Sequence, residues 1–152
     1  MTAKAIGKRS AATELLGGCA AMRFRKTARR VSQIYDQHLA EVGLTITQYG
    51  ILAGVSRRDG ISIGALAEGL VMDPTTLTRN LKPLEVRRLL VSKPDKDDRR
   101  GRALSLTPAG ATMLKAAVPH WEKAQTIIAE ALRADAPGVA LSLDRMLEQL
   151  SK

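Results

Sequence analysis

Residues 61–106 constrain the fold more than any other part of the chain, because their helix and turn signals are the sharpest. They begin with an apolar run too short for more than an edge strand, in which Ser62 can cap a short helix. Asp73-Pro74 then starts a second helix, since Asp accepts hydrogen bonds from free backbone N–H groups and Pro loses none at the first helical position. Two β-like runs, 89–93 and 102–106, follow around a charged tip. The segment therefore predicts a short helix, a turn, a capped helix and a β-hairpin.

Helical periodicity covers the chain upstream of this segment. Apolar residues recur at spacings of three and four along residues 11–42, and Gly43 can end this helix in the left-handed conformation. A second helix fits residues 45–57, before the turn at Asp59-Gly60. The first ten residues have no hydrophobic pattern, so we expect a loose arm there.

The downstream part is also helical. A long helix starts at Thr107-Pro108, Pro119 is expected to bend it, and a break at residues 136–138 precedes a last helix over residues 139–151. We therefore predict a mainly α fold with a small β-hairpin wing. Its expected organisation is a flexible N-terminal arm (1–10), a helical dimerisation region (11–44 and 107–152) and a winged helix-turn-helix region (45–106).

Composition excludes several classes of protein. The 152 residues include 24 Lys and Arg against 15 Asp and Glu, and a net charge of +9 favours a polyanionic partner, either nucleic acid or an acidic membrane face. One cysteine and two histidines exclude a disulfide scaffold and a Cys-rich zinc module. No apolar run approaches the roughly 18 residues of a spanning helix. Glu14 and Gly17-Gly18 interrupt the only stretch that resembles a signal peptide, so we expect a cytoplasmic protein.

The capped helix separates an apolar face from a polar one. In a helix-turn-helix this second helix enters the major groove, where base edges offer donors, acceptors and thymine methyl groups. An arginine at a narrow hairpin tip suits the narrow, negative minor groove. Between residues 79 and 102, nine basic residues stand against four acidic ones. We predict DNA contacts from the cap, the helix and the hairpin, at Ser62, Thr75, Thr76, Thr78, Arg79, Lys82, Arg99, Arg100 and Arg102.

Residues 72–114, MDPTTLTRNLKPLEVRRLLVSKPDKDDRRGRALSLTPAGATML, resemble the MarR family of bacterial winged helix-turn-helix transcription regulators. Residues 43–52, GLTITQYGIL, resemble that family's second helix. The resemblance implies a homodimer on a palindromic operator, and regulation, usually repression, by a small ligand or an oxidant. It also implies that Asp98 orients Arg100 in the wing. Two residues depart from the family pattern. Arg88 stands where the family usually has Gly, which predicts a different turn after the recognition helix and an added phosphate contact. Val86 stands where a basic residue is common.

Two further sets of residues have predicted roles. The apolar faces of the first and last helices have no partner within so small a winged domain, so pairing of two subunits should bury them. The candidates for this dimer interface are Leu15, Leu143, Met146, Leu147 and Leu150. In the family, ligands bind between the dimer and DNA-binding lobes, and the residues here that can offer an aromatic wall or a polar handle are Tyr35, His38, Tyr49 and Trp121. Basic residues are plentiful, so we favour an organic anion as the effector, with aromatic anions as the first candidates.

Alternatives remain open. A constitutive DNA-binding protein of the same fold would need no effector. Some relatives sense hydroperoxides through one cysteine near the start of the first helix. Cys19 could serve as such a redox sensor, with Arg23 supplying the positive charge that lowers the pKa of a thiol. The simpler interpretation is that Cys19 is a small, buried apolar residue. The basic stretch Arg23, Arg25, Lys26, Arg29 and Arg30 is either a solvated face or a contact with DNA backbone or an anionic effector.

We predict neither enzymatic activity nor a cofactor. His38 and His120 lack a nearby catalytic partner, and the phosphate-binding, metalloprotease and nucleophile-elbow motifs do not occur. Asp95-x-Asp97 hints at a calcium loop, but Arg100 and Leu106 stand where such a loop needs Gly and Glu, so no metal site is expected.

Overall fold

The computed structural model describes residues 10–15, 17–94 and 101–151, without the side chain of Leu15. The fold is mainly helical with a small antiparallel sheet, as the sequence predicts. The helices are α1 (Ala11–Leu15), α2 (Ala20–Leu39), α3 (Ile46–Arg57), α4 (Ile63–Gly69), α5 (Pro74–Val86), α6 (Pro108–Leu132) and α7 (Ala136–Leu150). The strands are β1 (Ile61–Ser62), β2 (Leu90–Pro94) and β3 (Arg102–Leu106), and short 3-10 turns cover Ala40–Val42 and Arg133–Asp135.

The chain divides into two compact units, residues 1–33 and residues 34–152, and the division falls within α2. In the first unit the predicted continuous helix over residues 11–42 is wrong. Gly17 and Gly18 have φ values of +61° and +124°, which breaks the helix between α1 and α2. The Arg23 Nη2 donates to the Gly17 carbonyl oxygen at 2.7 Å across this break.

The second unit has a core of aliphatic side chains from several elements. The largest fully buried side chains come from α2, α3, α5 and the sheet: Leu39, Ile51, Leu52, Val55, Leu77, Leu84, Leu90 and Leu104. The sheet has the order β1-β3-β2, with Ile61 opposite Leu104 and Leu90 opposite Leu106. Both outer strands therefore pair with β3. The sequence offered an edge strand or a helix cap at residues 61–63, and both occur: Ile61–Ser62 is an edge strand and Ser62 caps α4.

The helix starts follow from local chemistry. Thr45 and Gln48 form a capping box at α3, Ser62 caps α4, Asp73 caps α5, and Thr107 caps α6. The starts predicted at Asp73-Pro74 and Thr107-Pro108 are confirmed. Gly43 has φ +67° and ends the turn after α2, also as predicted.

The C-terminal break lies upstream of its predicted place. It occurs at Arg133–Asp135, where Arg133 has φ +52°, and residues 136–138 belong to α7. The physical reason is that Pro137 lies in the first turn of α7, where a missing N–H removes no intrahelical hydrogen bond. Among the described helices, none combines the length and the hydropathy needed to cross a membrane.

Candidate nucleic-acid interface

Helix α5 is fixed at its start by Asp73. The Asp73 Oδ1 accepts from the backbone nitrogens of Thr75 and Thr76 at 2.9 and 3.1 Å. The opposite, inward face is held by Leu77, Leu81 and Leu84, all buried. Because these contacts fix both the start and the rotation of the helix, its polar face is directed outward.

The outward face of α5 contains all the helical residues predicted to contact DNA. All of these side chains are exposed: Thr75, Thr76, Thr78, Arg79 and Lys82. An open groove of about 410 Å³ is lined by four of them together with the first residue of the helix: Pro74, Thr75, Thr78, Arg79 and Lys82. A guanidinium, an ammonium and hydroxyl groups thus lie along one groove, with Thr75 nearest the positive end of the helix dipole. The arrangement is suited to phosphates and base edges.

Some polar side chains of α5 hydrogen-bond to the backbone of their own helix, and others remain available for an external partner. The Thr78 Oγ1 donates to the Pro74 carbonyl oxygen at 2.8 Å, which leaves the Thr78 methyl group and an oxygen lone pair for an external partner. The Asn80 Nδ2 likewise donates to the Thr76 carbonyl oxygen at 2.8 Å. Within the described part of the chain, the Arg79 guanidinium has no hydrogen bond or ion pair, so all its donors remain available to a ligand.

Two arginines follow α5. Arg88 has φ +54°, the left-handed conformation that favours Gly, and its backbone nitrogen donates to the Glu85 carbonyl at 2.9 Å. The Leu89 nitrogen donates to the Leu84 carbonyl at 2.9 Å, which completes a Schellman turn. The prediction that Arg88 changes this turn is therefore wrong: Arg88 adopts the backbone conformation of a glycine, at a cost in strain.

Arg87 makes a contact that the sequence did not predict. Its Nη1 donates to the Gly43 carbonyl oxygen at 2.7 Å, across 44 residues of sequence. This bond joins the end of α5 to the turn between α2 and α3. Nothing in the local sequence signals it, because the partner is a backbone carbonyl exposed only by the turn at Gly43.

The turn between α4 and α5 is also strained. Val71 has φ +51° and is 74% exposed, and its nitrogen donates to the Glu68 carbonyl at 3.0 Å. The Met72 nitrogen donates to the Ala67 carbonyl at 2.8 Å, so this turn has the same hydrogen-bond pattern as the one after α5. A β-branched residue is a rare choice for this conformation.

The two strands of the wing, β2 and β3, pair antiparallel, and the side chain of Arg102 bonds across the pair. The Arg102 Nε donates to the Ser92 Oγ at 2.5 Å and its Nη2 to the Ser92 carbonyl at 2.7 Å. Arg102, predicted to contact DNA, thus stabilises the hairpin with two of its donors. The tip residues Asp98, Arg99 and Arg100 lie outside the described residues.

Ser62 has a structural role as well. Its Oγ accepts from the Ala65 nitrogen at 3.1 Å, as predicted for a cap, and the residue is half-buried. Its hydroxyl hydrogen can still be donated to a phosphate.

Three of the four residues predicted for the effector pocket lie together. The rings of Tyr49 and Trp121 stack with centroids 5.9 Å apart and planes 14° apart, and the Tyr35 ring lies 6.4 Å from Trp121. The Tyr35 hydroxyl donates to the Gln125 Oε1. His38, one turn along α2 from Tyr35, is half-buried.

Burial raises the pKa of both tyrosines. For Tyr35 the phenolate of Tyr49 raises the pKa further; for Tyr49 the pKa is lowered by Arg57 and raised by Glu122, with burial the largest effect. Both phenols are therefore neutral donors at ordinary pH. A separate open groove of about 410 Å³ between α3 and α6 is lined by Ser56, Ala111, Thr112, Leu114, Lys115 and Val118.

The predicted dimer residues of α7 form an exposed apolar face. Leu143, Leu147 and Leu150 are 44%, 48% and 74% exposed, and Met146 is half-buried. At 100° per residue these four side chains fall on one side of the helix, and α7 has no buried residue. The side chain of Leu15 lies outside the described residues.

Cys19 differs from its simplest interpretation. It is exposed, so it is not a buried apolar filler. The cause is the break at Gly17 and Gly18, which places Cys19 in the connection before α2 rather than on a packed helical face.

Comparison with known proteins gives consistent results. The model of the MarR family matches residues 42–101. The transcriptional regulator HosA of Escherichia coli is 32% identical over 99 residues, which cover 62% of this chain and 73% of HosA. The transcriptional regulator SarZ of Staphylococcus epidermidis is 31% identical over 87 residues; the match covers 57% of this chain and spans 59% of the length of SarZ. The crystal structure of the M. tuberculosis transcriptional regulator MosR in complex with DNA is similar with a TM-score of 0.79 and 32% identity, over 88% of this chain and 96% of that one.

Proposed function

The chain belongs to the MarR family of winged helix-turn-helix transcription regulators, and from that premise we propose that it is a ligand-responsive repressor. It binds a palindromic DNA operator as a homodimer, and a small organic anion releases it. The observation that carries the proposal is the outward face of α5, where Arg79 and Lys82 line one groove with Thr75 and Thr78 on a helix whose start is capped by Asp73.

DNA recognition rests on α5 and the wing. A helix of 13 residues is about 20 Å long, enough to lie in the major groove with its first turns at the base edges. Arg79 supplies a bidentate donor for guanine or a phosphate, and the threonines supply hydroxyl and methyl contacts. We propose from the sequence that Arg100, oriented by Asp98, contacts the minor groove and that Arg99 is a further DNA contact. The DNA-binding region proposed is residues 45–106.

Dimerisation rests on the helices outside this region. The exposed apolar face of α7 is the kind of surface that a second copy of the chain covers. A two-fold pair would present two recognition helices about one DNA turn apart, matching a palindrome. Residues 11–44 and 107–152 are the proposed dimerisation region.

The effector site proposed is built around Tyr35, Tyr49 and Trp121, with His38 as a polar handle. Aromatic rings and neutral phenol donors suit an aromatic carboxylate. The Asp36 Oδ1 accepts from the Ile46 nitrogen at 2.7 Å and ties α2, which carries Tyr35, to α3, which carries Tyr49. The bond from Arg87 to Gly43 continues this connection to α5. A ligand that alters the packing of α2 and α3 can therefore change the position of α5. Such a ligand releases DNA if it binds more tightly to the arrangement in which α5 does not fit the major groove.

The DNA part of the proposal is tested by selecting bound sequences from a random duplex pool. Wild type is expected to enrich a palindrome with half-sites about ten base pairs apart. Arg145→Ala, which removes an exposed arginine from α7, should select the same sequence, whereas Arg79→Ala should select a relaxed one. Recovery of unselected sequence by wild type would contradict the proposal.

The effector part is tested with Trp121 as the only tryptophan in the chain. Titration with a panel of aromatic carboxylic acids and their thioesters should change its fluorescence, and the same compound should release the selected operator. Tyr49→Phe should keep the stacking, while Tyr49→Ala should reduce both effects. Absence of a fluorescence change and of operator release across the panel would favour a constitutive DNA-binding protein.

A further inference from the structure

The positive charge of this chain is concentrated at its N-terminal end. Residues 1–33 contain eight Lys and Arg against one acidic residue, Glu14. Residues 34–152, which include the recognition helix and the wing, contain sixteen basic and fourteen acidic residues. Residues 1–33 therefore carry a net charge of +7, the proposed DNA-binding region (45–106) a net charge of +4 and the rest of the chain a net charge of −2. Such an asymmetry is typical of a segment that contacts a polyanion.

Four of these cations form one continuous surface on α2, the basic face, consisting of Arg25, Lys26, Arg29 and Arg30. All four are exposed. At 100° per residue they cover an arc of about 140° of the helix. Two like-charged pairs stand at i,i+4, Arg25 with Arg29 and Lys26 with Arg30, a spacing that is unfavourable in an isolated helix. The sequence has no Asp or Glu between Glu14 and Asp36, so no acid on this part of α2 relieves the repulsion.

The charge density of the basic face lies between that of one DNA strand and that of the whole duplex. Six helical residues rise about 9 Å, so the face carries about one positive charge per 2 Å, against about one phosphate per 3.4 Å of duplex axis for one strand and per 1.7 Å for both strands. Three of the four side chains are arginines, whose planar fork pairs with phosphate oxygens through two hydrogen bonds.

A membrane surface fits this helix less well. An interfacial helix needs large apolar side chains opposite its cations. The residues opposite the basic face are Ala20, Ala21, Phe24, Ala28 and Val31, mostly small.

We propose that the basic face of α2 is a second DNA contact, which binds the phosphate backbone without regard to sequence and acts in addition to α5 and the wing. The inference rests on the proposed function, because it requires a chain that binds duplex DNA. It assigns to the basic face most of the salt-dependent, non-specific affinity, while α5 supplies sequence preference.

The test compares two variants of equal net charge. The face variant carries Arg25→Gln, Lys26→Gln, Arg29→Gln and Arg30→Gln. The control carries Lys115→Gln, Lys123→Gln, Arg133→Gln and Arg145→Gln, which removes four exposed cations from the last helices. Binding to a random-sequence duplex of about 40 base pairs is followed by fluorescence anisotropy between about 50 and 200 mM salt.

The face variant should lose about 3 to 4 units of slope in log affinity against log salt for each subunit whose basic face contacts the duplex, because each neutralised phosphate contributes about 0.9. Over that salt range each such wild-type face should then account for an additional loss of affinity of about 150-fold relative to the face variant. The control should keep the wild-type slope. Thermal melts without DNA should show the face variant at or above the wild-type melting temperature, since like-charge pairs have been removed.

Three results would overturn the inference. Equal salt slopes for wild type, the face variant and the control would overturn it. If wild type still selects its operator in that case, the proposed function stands although the basic face does not contact DNA. An equal loss in the face variant and the control would show a general effect of net charge. Retention of wild type on phosphatidylserine vesicles, abolished in the face variant while the duplex slope is unchanged, would assign the face to a membrane. If the face variant does not fold, the two pair variants, Arg25→Gln with Arg29→Gln and Lys26→Gln with Arg30→Gln, should each lose about half of the slope.

Discussion

Among the described residues, three other than glycine have positive φ values: Val71 (+51°), Arg88 (+54°) and Arg133 (+52°). Val71 and Arg88 each follow a helix, where a residue with positive φ lets the last carbonyls find donors. An L-residue with a Cβ is less stable in this conformation by about 1–2 kcal/mol. The two turns next to the recognition helix are therefore strained on both sides.

Val71 gives the clearest test of this strain. We expect Val71→Gly to raise the free energy of unfolding by about 1 kcal/mol, because relief of the β-branched side chain exceeds the added entropy of the unfolded chain. Val86, another exposed valine, lies inside α5, so Val86→Gly should lower the free energy of unfolding by about 0.5–1 kcal/mol. Urea denaturation measures both. A loss of stability in Val71→Gly would show that the turn is not strained.

The two tyrosines predict how stability depends on high pH. Their pKa values are raised above 10.0 by burial, so the folded state keeps its phenolic protons where the unfolded state loses them. The unfolded state then binds fewer protons, and stability falls as pH rises above about 10. Tyr35→Phe should reduce this fall in urea denaturation. Absorbance of tyrosinate appearing in the folded protein at or below pH 10 would contradict the assignment.

At the scale of elements, the start of α6 packs directly on the turn after α5. The Thr107 nitrogen and Oγ1 donate to the carbonyls of Leu89 and Arg88 at 3.1 and 2.6 Å. A Cβ on Gly110 would lie 1.8 Å from the Leu89 carbonyl oxygen. Only a glycine allows this close approach. The approach fixes the turn after the recognition helix α5 to the start of the long helix α6.

Gly110→Ala should therefore lower the free energy of unfolding by about 3 kcal/mol, since backbone atoms have to move apart. Gly64, in α4, has no atom within 4 Å of its Cβ position, so Gly64→Ala should be neutral or stabilise by up to about 1 kcal/mol. Chemical denaturation of both variants makes the comparison. Equal stability of the two would mean that the close contact is absent.

The elements that could be predicted from the sequence are those with local causes. Asp73, Thr107 and Ser62 cap helices through hydrogen bonds to residues two or three positions away, and such bonds leave a sequence pattern. The break at Gly17 and the exposed position of Cys19 were missed because apolar spacing outweighed a glycine pair. The sequence pattern puts the C-terminal break three residues late, because Pro137 can either end one helix or begin the next, and here it lies in the first turn of α7.

The parts of the site that could not be predicted depend on distant partners. The bond from Arg87 to Gly43 and the close approach of Gly110 to Leu89 join segments that only the folded chain brings together. The outward residues of α5 could be predicted because helical periodicity alone places them opposite Leu77 and Leu84.

At the scale of the whole molecule, the exposed apolar face of α7 predicts self-association. Leu147→Glu should raise the dimer dissociation constant about 100-fold or more, because two unpaired carboxylates would be buried in the interface. Leu141, equally exposed but on the opposite side of α7, supplies the control: Leu141→Glu should leave the dimer intact. Light scattering across protein concentrations measures both. A monomeric wild type at micromolar concentration would contradict the dimer.

The central claim is that the outward face of α5 reads DNA. Its most direct test is the affinity of Arg79→Ala for the selected operator and for a random duplex, at one salt concentration and beside Arg145→Ala. We predict that Arg79→Ala loses about 1–3 kcal/mol of binding to the operator and much less to the random duplex, while Arg145→Ala matches wild type on both. Operator binding by Arg79→Ala equal to that of wild type would contradict the claim.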